Sequence, residues 1–255
     1  MKTIILCGGI GTRMKEETEF KPKPMVLIGG KPILWHIMKI YAHYGYNEFI
    51  LALGYKGEMI KDYFLNKRAF LSDFTLDMTT NKKEFHNNES DNFKITFAET
   101  GLKSETGERI LGVKKYITED EFMITYGDGV ADIDINRLVT FHRKQGTIGT
   151  ITGAHPYSKY GLVKIDEKRN LVLNFEQKPL MYDYASIGFM VFNKKVFNYF
   201  DEGPMENSLM KLAKEGQLSI YKHEGFWKGM DTYREMEELN KLWQESKPWA
   251  VWEKS

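Results

Sequence analysis

The sequence predicts an α/β domain: a parallel sheet covered by helices. Three observations predict it. Residues 2–7 (KTIILC) form a β-branched apolar run of the kind found in a buried central strand. A glycine-rich turn over residues 8–12 follows at once. Beyond it, strand and helix patterns alternate, and a strand–loop–helix–strand rhythm favours parallel strands joined by crossover helices.

The first helix is expected over residues 32–44. Pro32 suits its first position, Ile33, Leu34, Ile37, Met38, Ile40 and Tyr41 form one apolar face, and Gly45 suits its end. Residues 49–53 read as the second strand and residues 57–65 as the second helix. Residues 81–92 (NKKEFHNNESDN) are almost wholly polar and read as a long loop or extended hairpin. Strands resume at residues 94–98 and 122–125, the latter ending in Gly127-Asp128-Gly129. A helix over residues 135–145 places Ile135, Leu138, Val139 and His142 on one side, with Asp134 as its N-cap. Further strands are expected at residues 148–154, 162–165 and 188–192, and a helix at residues 206–215. A final helix over residues 232–245 carries Met236, Leu239, Leu242 and Trp243 at 3–4 spacing. With no repeat and no linker, residues 1–255 read as one domain, to which the 81–92 loop and the 232–245 helix are loosely attached.

Composition narrows the function. The 255 residues are 42% hydrophobic and 28% charged, which suits a packed soluble core. Lys plus Arg (36) nearly cancels Asp plus Glu (35), so nothing draws the whole chain to nucleic acid or an anionic membrane, and a bound anion needs a local site. Cys7 is the only cysteine, which excludes an internal disulfide and a cysteine-based metal cluster; it reads as inert packing. No apolar run has transmembrane length, and no signal-peptide core opens the chain, so the cytoplasm is the default location. The six histidines show no ligand spacing, no G-x-S-x-G elbow is present, and the aromatics read as core.

Four segments could carry chemistry. The loop after strand one, Leu6 through Gly8, Gly9, Gly11, Thr12 and Arg13, lets backbone N–H groups approach a phosphate. It is neither a Walker A loop nor a dinucleotide fingerprint, because Met14 stands where the third glycine would be. Arg13 in such a loop suits a triphosphate whose charge must be neutralised. KPKP, residues 21–24, holds Lys23 between two prolines and presents its cation rigidly. Asp128, between glycines at the carboxyl end of a strand, is placed to bind a metal. Asp231, in FWKGMDT, reads either as a helix N-cap or as a second carboxylate for the same metal.

Taken in this order, these segments resemble the sugar-nucleotide pyrophosphorylases, a family of nucleotidyltransferases. The resemblance rests on GGIGTR, KPKPMVLIGGKPILWHIMK, GYKG, TGERI, TYGDGVADIDI and FWKGMDT, covers the chain from end to end, and runs most nearly to its cytidylyltransferase branch. It implies a Rossmann-like mixed, mostly parallel sheet flanked by helices. It also implies a cytoplasmic homo-oligomer that binds CTP, a small phosphorylated acceptor and Mg2+, and neither nucleic acid nor membrane. Leu6, the Gly8–Arg13 loop, Lys23, Ser104 and Arg109 would hold the nucleotide, and Asp128 and Asp231 the magnesium. Arg13 and Lys23 would stabilise the transition state and leaving pyrophosphate, while Lys178 would aim the acceptor phosphate. The CDP-linked product would feed cell-surface polysaccharide synthesis.

The chain departs from the family pattern on the acceptor side. Gln177 stands for a glutamate, Ser186-Ile187 for Asn-Gly, and Lys228 for a neutral residue. These departures lead us to expect an acceptor other than a hexose phosphate, with phosphoglutamine as the named candidate and Lys228 pairing with its carboxylate. The alternatives are glucose 1-phosphate itself, giving CDP-glucose, and a nucleotide-binding module without turnover.

Overall fold

The computed structural model describes residues 1–11, 14–86 and 91–253. Among these, seven strands form one sheet. Their spatial order is Leu218–Lys222, Gly149–Ala154, Ala185–Asn193, Glu121–Tyr126, Thr3–Leu6, Glu48–Leu53 and Lys94–Glu99. The pairs made by Thr3–Leu6, the outer pair Glu48–Leu53 with Lys94–Glu99, and the pair Gly149–Ala154 with Leu218–Lys222 are parallel. Only Ala185–Asn193 runs antiparallel to both of its neighbours. The sheet is therefore mixed and mostly parallel, as expected.

Strand alternation divides the core between two faces. Ile5, Phe49, Leu51, Phe189 and Val191 point to one side, under the helices Ile33–His43, Ile135–Gln145 and Tyr233–Glu245. Ile4, Leu6, Ile50, Met190 and Phe192 point to the other, under Thr106–Val113 and Met205–Lys214. A strand covered on both faces has no polar side to show, which is why Thr3–Leu6 reads as a continuous apolar run.

Helix ends follow local chemistry. Asp134 caps Ile135–Gln145 by accepting from the Arg137 N–H at 2.9 Å. Thr232 and Glu235 form a reciprocal capping box at the start of Tyr233–Glu245, so Asp231 is not the cap. Beyond that helix the chain turns back and buries Trp249 completely. Its indole N–H donates to His36 Nδ1 at 3.3 Å, and His36 Nε2 meets the Ile28 carbonyl at 2.8 Å.

Several expectations need correction. The strand read at residues 162–165 lies outside the main sheet: Gly161–Asp166 pairs only with Leu171–Gln177, in an antiparallel ribbon of its own. Leu171–Gln177 is exposed along its whole length, so no burial pattern marks it in the sequence. The second helix runs on to Leu71, because its last turns carry Leu65 and Phe70 into solvent and break the apolar periodicity. The polar stretch needs no such correction: of the loop or hairpin expected there, Lys82–Phe85 forms a hairpin with Phe74–Asp77, and residues 87–90 lie outside the described residues. No described helix is long and apolar enough to cross a membrane.

Candidate active site

The carboxyl ends of Thr3–Leu6 and Glu121–Tyr126 sit side by side, with Leu6 opposite Tyr126. The loops leaving these two strands open a cavity of about 350 Å3. Leu6, Gly8, Gly9, Gly11, Lys23, Ser104, Arg109, Asp128 and Asp231 all line it, so residues more than 200 positions apart meet there. Thr12 and Arg13 lie outside the described residues. Cys7 is buried at its edge, and burial pushes its thiol far above the reactive range.

Gly8 and Gly127, one on each of these loops, are required by close approach. A Cβ on Gly8 would stand 2.1 Å from the Arg109 guanidinium, and one on Gly127 would stand 2.9 Å from the Leu6 carbonyl. Arg109 is buried beneath the loop. Its guanidinium donates to the carbonyls of Gly8 (3.0 Å), Leu53 (3.1 Å) and Gly101 (2.8 Å), and to Thr100 Oγ1 (2.8 Å). It lines the cavity, yet its donors tie three strand-end loops together. Ser104 likewise donates within its own loop, to the Thr100 carbonyl.

The centre of the cavity is a lysine held by two aspartates. Lys23 Nζ donates at 2.6 Å to Asp128 Oδ2 and at 2.6 Å to Asp231 Oδ1. Lys23 begins a short 3-10 turn after Pro22, whose fixed φ sets the direction of the chain. Asp128 and Asp231, distant in sequence, meet because Gly129–Ala131 pairs antiparallel with Trp227–Gly229, and Met230 N–H donates to the Asp128 carbonyl at 2.8 Å. The Glu235 carboxylate accepts from the Asp231 N–H at 2.7 Å and fixes that end of the pair. Burial alone would pull the Lys23 pKa down, but Asp128 and Asp231 more than offset this and hold it above its ordinary value. Among the described residues no cluster of three or more His, Cys, Asp or Glu is placed to hold a metal. The two carboxylates that grip the ammonium both line the cavity.

Sequence reasoning missed three contributors. Tyr126 lines the cavity and donates to Glu206 Oε1 at 2.6 Å; burial, reinforced by Glu206, pushes its pKa up. Glu105 and Thr106 line it at the start of Thr106–Val113, where Glu105 and Glu108 form a capping box. The Glu105-x-x-Glu108 spacing just before Ile110 and Leu111 is a sequence signal of that helix start.

The acceptor-side residues are not brought to this cavity. Gln177 and Lys178 are exposed on the two-stranded ribbon, Lys178 with a left-handed φ of 51°. Ser186 is exposed at the start of its strand. Ile187 does not stand in open space: it is 5% exposed and packs in the core with Phe189 and Val191, so it cannot exclude a ring from an acceptor pocket. Lys228 is held at 2.6 Å by Glu238 on the last helix, which removes it as a free partner for an acceptor carboxylate.

This fold and site define a class. The Nucleotidyl transferase family model matches residues 2–233, and the chain belongs to that family; it is a nucleotidyltransferase, which replaces the non-catalytic alternative. Within the family it is 44% identical to the Glucose-1-phosphate cytidylyltransferase of Salmonella typhimurium (strain LT2), over 99% of this chain and all of that protein. The same identity and coverage hold for the protein called "Probable glucose-1-phosphate cytidylyltransferase" of Bacillus subtilis (strain 168). In fold, it is similar to a UDP-glucose pyrophosphorylase solved in complex with UDP-glucose, with a TM-score of 0.70, 17% identity, and 96% of this chain and 99% of that chain covered.

Proposed function

We propose that this protein is a glucose-1-phosphate cytidylyltransferase, joining CTP and glucose 1-phosphate to give CDP-glucose and pyrophosphate. The observation that carries this reading is 44% identity along the whole chain to relatives of that name. Phosphoglutamine is withdrawn as the favoured acceptor. Two of the departures that suggested it, Ile187 and Lys228, are engaged in the core and with Glu238.

The chemistry is an in-line displacement in which an acceptor phosphate oxygen attacks the α-phosphorus of CTP. That oxygen is already ionised, so no protein base is needed, and catalysis rests on alignment and charge neutralisation. Gly8, Gly9 and Gly11 would turn N–H groups to the phosphates. Lys23 and Arg13 would hold the charge that develops on the leaving pyrophosphate. Arg109, already tied to Gly8, Leu53 and Gly101, would set the shape of the nucleotide loop. Asp128 and Asp231 suit Mg2+, which takes few protein ligands and completes its shell with water and phosphate. When bound, it would neutralise the reacting phosphates. Lys178, Gln177 and Ser186 keep an acceptor-side role only as a reading of their motifs. A cytoplasmic location and supply of cell-surface polysaccharide accompany this reading.

The test is pyrophosphate release with five nucleoside triphosphates (CTP, UTP, dTTP, ATP and GTP) against glucose 1-phosphate, other sugar 1-phosphates and phosphoglutamine. CTP with glucose 1-phosphate should give the highest kcat/KM. A higher value for phosphoglutamine would restore the withdrawn acceptor, and equal rates with UTP would refute the assignment of the base.

A further inference from the structure

Asp128 and Asp231 stand at one end of a small antiparallel ladder, and the other end of that ladder is closed by a histidine. Gly129–Ala131 and Trp227–Gly229 pair over only three residues each. A two-stranded ladder this short is marginal by itself. Its strands are also unequally anchored. Val130 and Ala131 are buried in the core, whereas Trp227, Lys228 and Gly229 are half-buried. The strand that leads to Asp231 therefore needs a hold from outside the ladder. The Phe226 ring supplies part of it by stacking on Trp249, with centroids 5.7 Å apart, though a stack fixes the ring and not the peptide group behind it.

Asp132 follows the first strand and Phe226 precedes the second. The Phe226 carbonyl accepts from the Asp132 N–H at 3.1 Å and from His223 Nε2 at 3.1 Å. The same ring nitrogen lies 3.2 Å from Asp132 Oδ1. A carbonyl and a carboxylate only accept, so Nε2 carries a proton, and that one N–H faces both strands. Asp132 Oδ1 is shut off from water, where a partner within the protein counts for more than at the surface. Burial would lower the His223 pKa, but Asp132 and the Phe226 carbonyl more than offset this. His223 is itself 8% exposed and fixed to the main sheet, its backbone N–H donating to the Gly153 carbonyl at 2.8 Å. The turn between is fitted to the contact. A Cβ on Gly225 would stand 2.3 Å from Asp132 Oδ1 and 2.8 Å from the His223 ring, and would push the two apart.

We infer that His223 is a positioning residue of the cation site: it locks the register of this ladder and so sets the gap between Asp128 and Asp231. At the cavity end the Met230 N–H donates to the Asp128 carbonyl at 2.8 Å, so a shift of the second strand passes directly to the carboxylate pair. Such a pair tolerates little error, since Mg2+ demands oxygens at about 2.0–2.1 Å and ligand groups must be held to about 0.5 Å. This role holds on the reading that Asp128 and Asp231 take the divalent ion.

Mn2+ titration of the nucleotide-free chain by electron paramagnetic resonance, joined to steady-state kinetics, tests it. His223→Leu should weaken Mn2+ binding about 10-fold or more and lower kcat by a similar factor, as is usual for groups that orient metal ligands, while the KM for CTP changes less than about 3-fold. His223→Gln, whose amide N–H can face the same two oxygens, should recover most of both losses. His142→Gln is the control for a merely structural role. His142 is 3% exposed, its Nδ1 lies 2.8 Å from Thr150 Oγ1, and it does not line the cavity. Its loss should lower the melting temperature and leave Mn2+ binding unchanged. If His223→Leu fails to fold, Asp132→Asn, which keeps the side-chain shape and removes the charge, should weaken Mn2+ binding and lower kcat together. Mn2+ affinity within about 2-fold of wild type in whichever of these two folds, a loss that His142→Gln matches, or a loss that His223→Gln does not relieve would overturn the proposal. Asp231→Asn separates the two readings. If it binds Mn2+ as well as the wild type does, the carboxylate pair is not the cation site and the role of His223 falls with it. If it loses Mn2+ while His223→Leu does not, the role of His223 alone is refuted.

Discussion

Replacing Lys23 by methionine should separate metal binding from turnover in opposite directions. Lys23 Nζ lies 2.6 Å from an oxygen of Asp128 and 2.6 Å from an oxygen of Asp231, so these two oxygens are within 5.2 Å of each other. Without the ammonium, two carboxylates at that separation repel by about 3 kcal/mol at an effective dielectric of ~20. Their side chains are 35% and 40% exposed, and solvent screening trims the repulsion to about 1–2 kcal/mol. A divalent cation relieves that repulsion and no longer competes with a resident ammonium. The nucleotide-free Lys23→Met chain should therefore bind Mn2+ about 5–30-fold more tightly than the wild type, the factor equivalent to 1–2 kcal/mol. Turnover should fall by about 10²–10³, because a preorganised charge at the reacting phosphates is lost. Calorimetry or electron paramagnetic resonance of Mn2+ reads the first quantity and pyrophosphate release the second. Unchanged or weaker Mn2+ binding in Lys23→Met would refute the idea that the ammonium occupies the cation position.

Other outcomes follow from the same geometry. Asp128→Asn and Asp231→Asn should each cut turnover by about 10²-fold or more with the melting temperature nearly kept; near-normal turnover in either would remove that carboxylate from the site. Arg109→Leu should cost about 2–3 kcal/mol in a denaturant melt, since it removes the charge-assisted hydrogen bonds that tie three loops together; a loss under 1 kcal/mol would show the loops hold without it. Ile187→Gly should destabilise the fold by about 3–5 kcal/mol rather than open a sugar pocket, and a gain in glucose 1-phosphate use without loss of stability would contradict its place in the core. His36 adds a pH dependence. Burial holds it neutral, with a pKa lowered to about 4, while the unfolded chain takes up a proton below pH 6.5. Its contribution is complete above pH 6.5 and is lost as pH falls towards 4, by about 2 kcal/mol at pH 5. His223, which Asp132 raises, works in the opposite direction, so the measurement is the difference between wild type and His36→Gln, followed by tryptophan fluorescence. Equal acid sensitivity in both chains would remove His36 as the cause.

The legible parts of this protein are those in which local chemistry and burial agree. Residues 2–7 announced a central strand because both faces of Thr3–Leu6 are covered, which leaves only apolar residues admissible. Ile135–Gln145 was readable to the residue because an aspartate cap opens it and a left-handed glycine, Gly146, closes it. The cavity residues were legible as separate motifs, since a phosphate loop needs glycines and a metal site needs carboxylates at a strand end. Their convergence was not, because it depends on Gly129–Ala131 pairing with Trp227–Gly229 across about a hundred residues. The second strand of the ribbon escaped notice for the opposite reason: Leu171–Gln177 buries nothing within its own chain, so no alternation of burial was imprinted on it. Tertiary structure alone decided what the variable residues do. Ile187 faces the core because its strand alternates in step with Phe189 and Val191, and Lys228 is engaged because the last helix carries Glu238 to it. A single sequence records which residue types are present, whereas the direction a side chain takes depends on strand parity and on neighbours brought close only by folding.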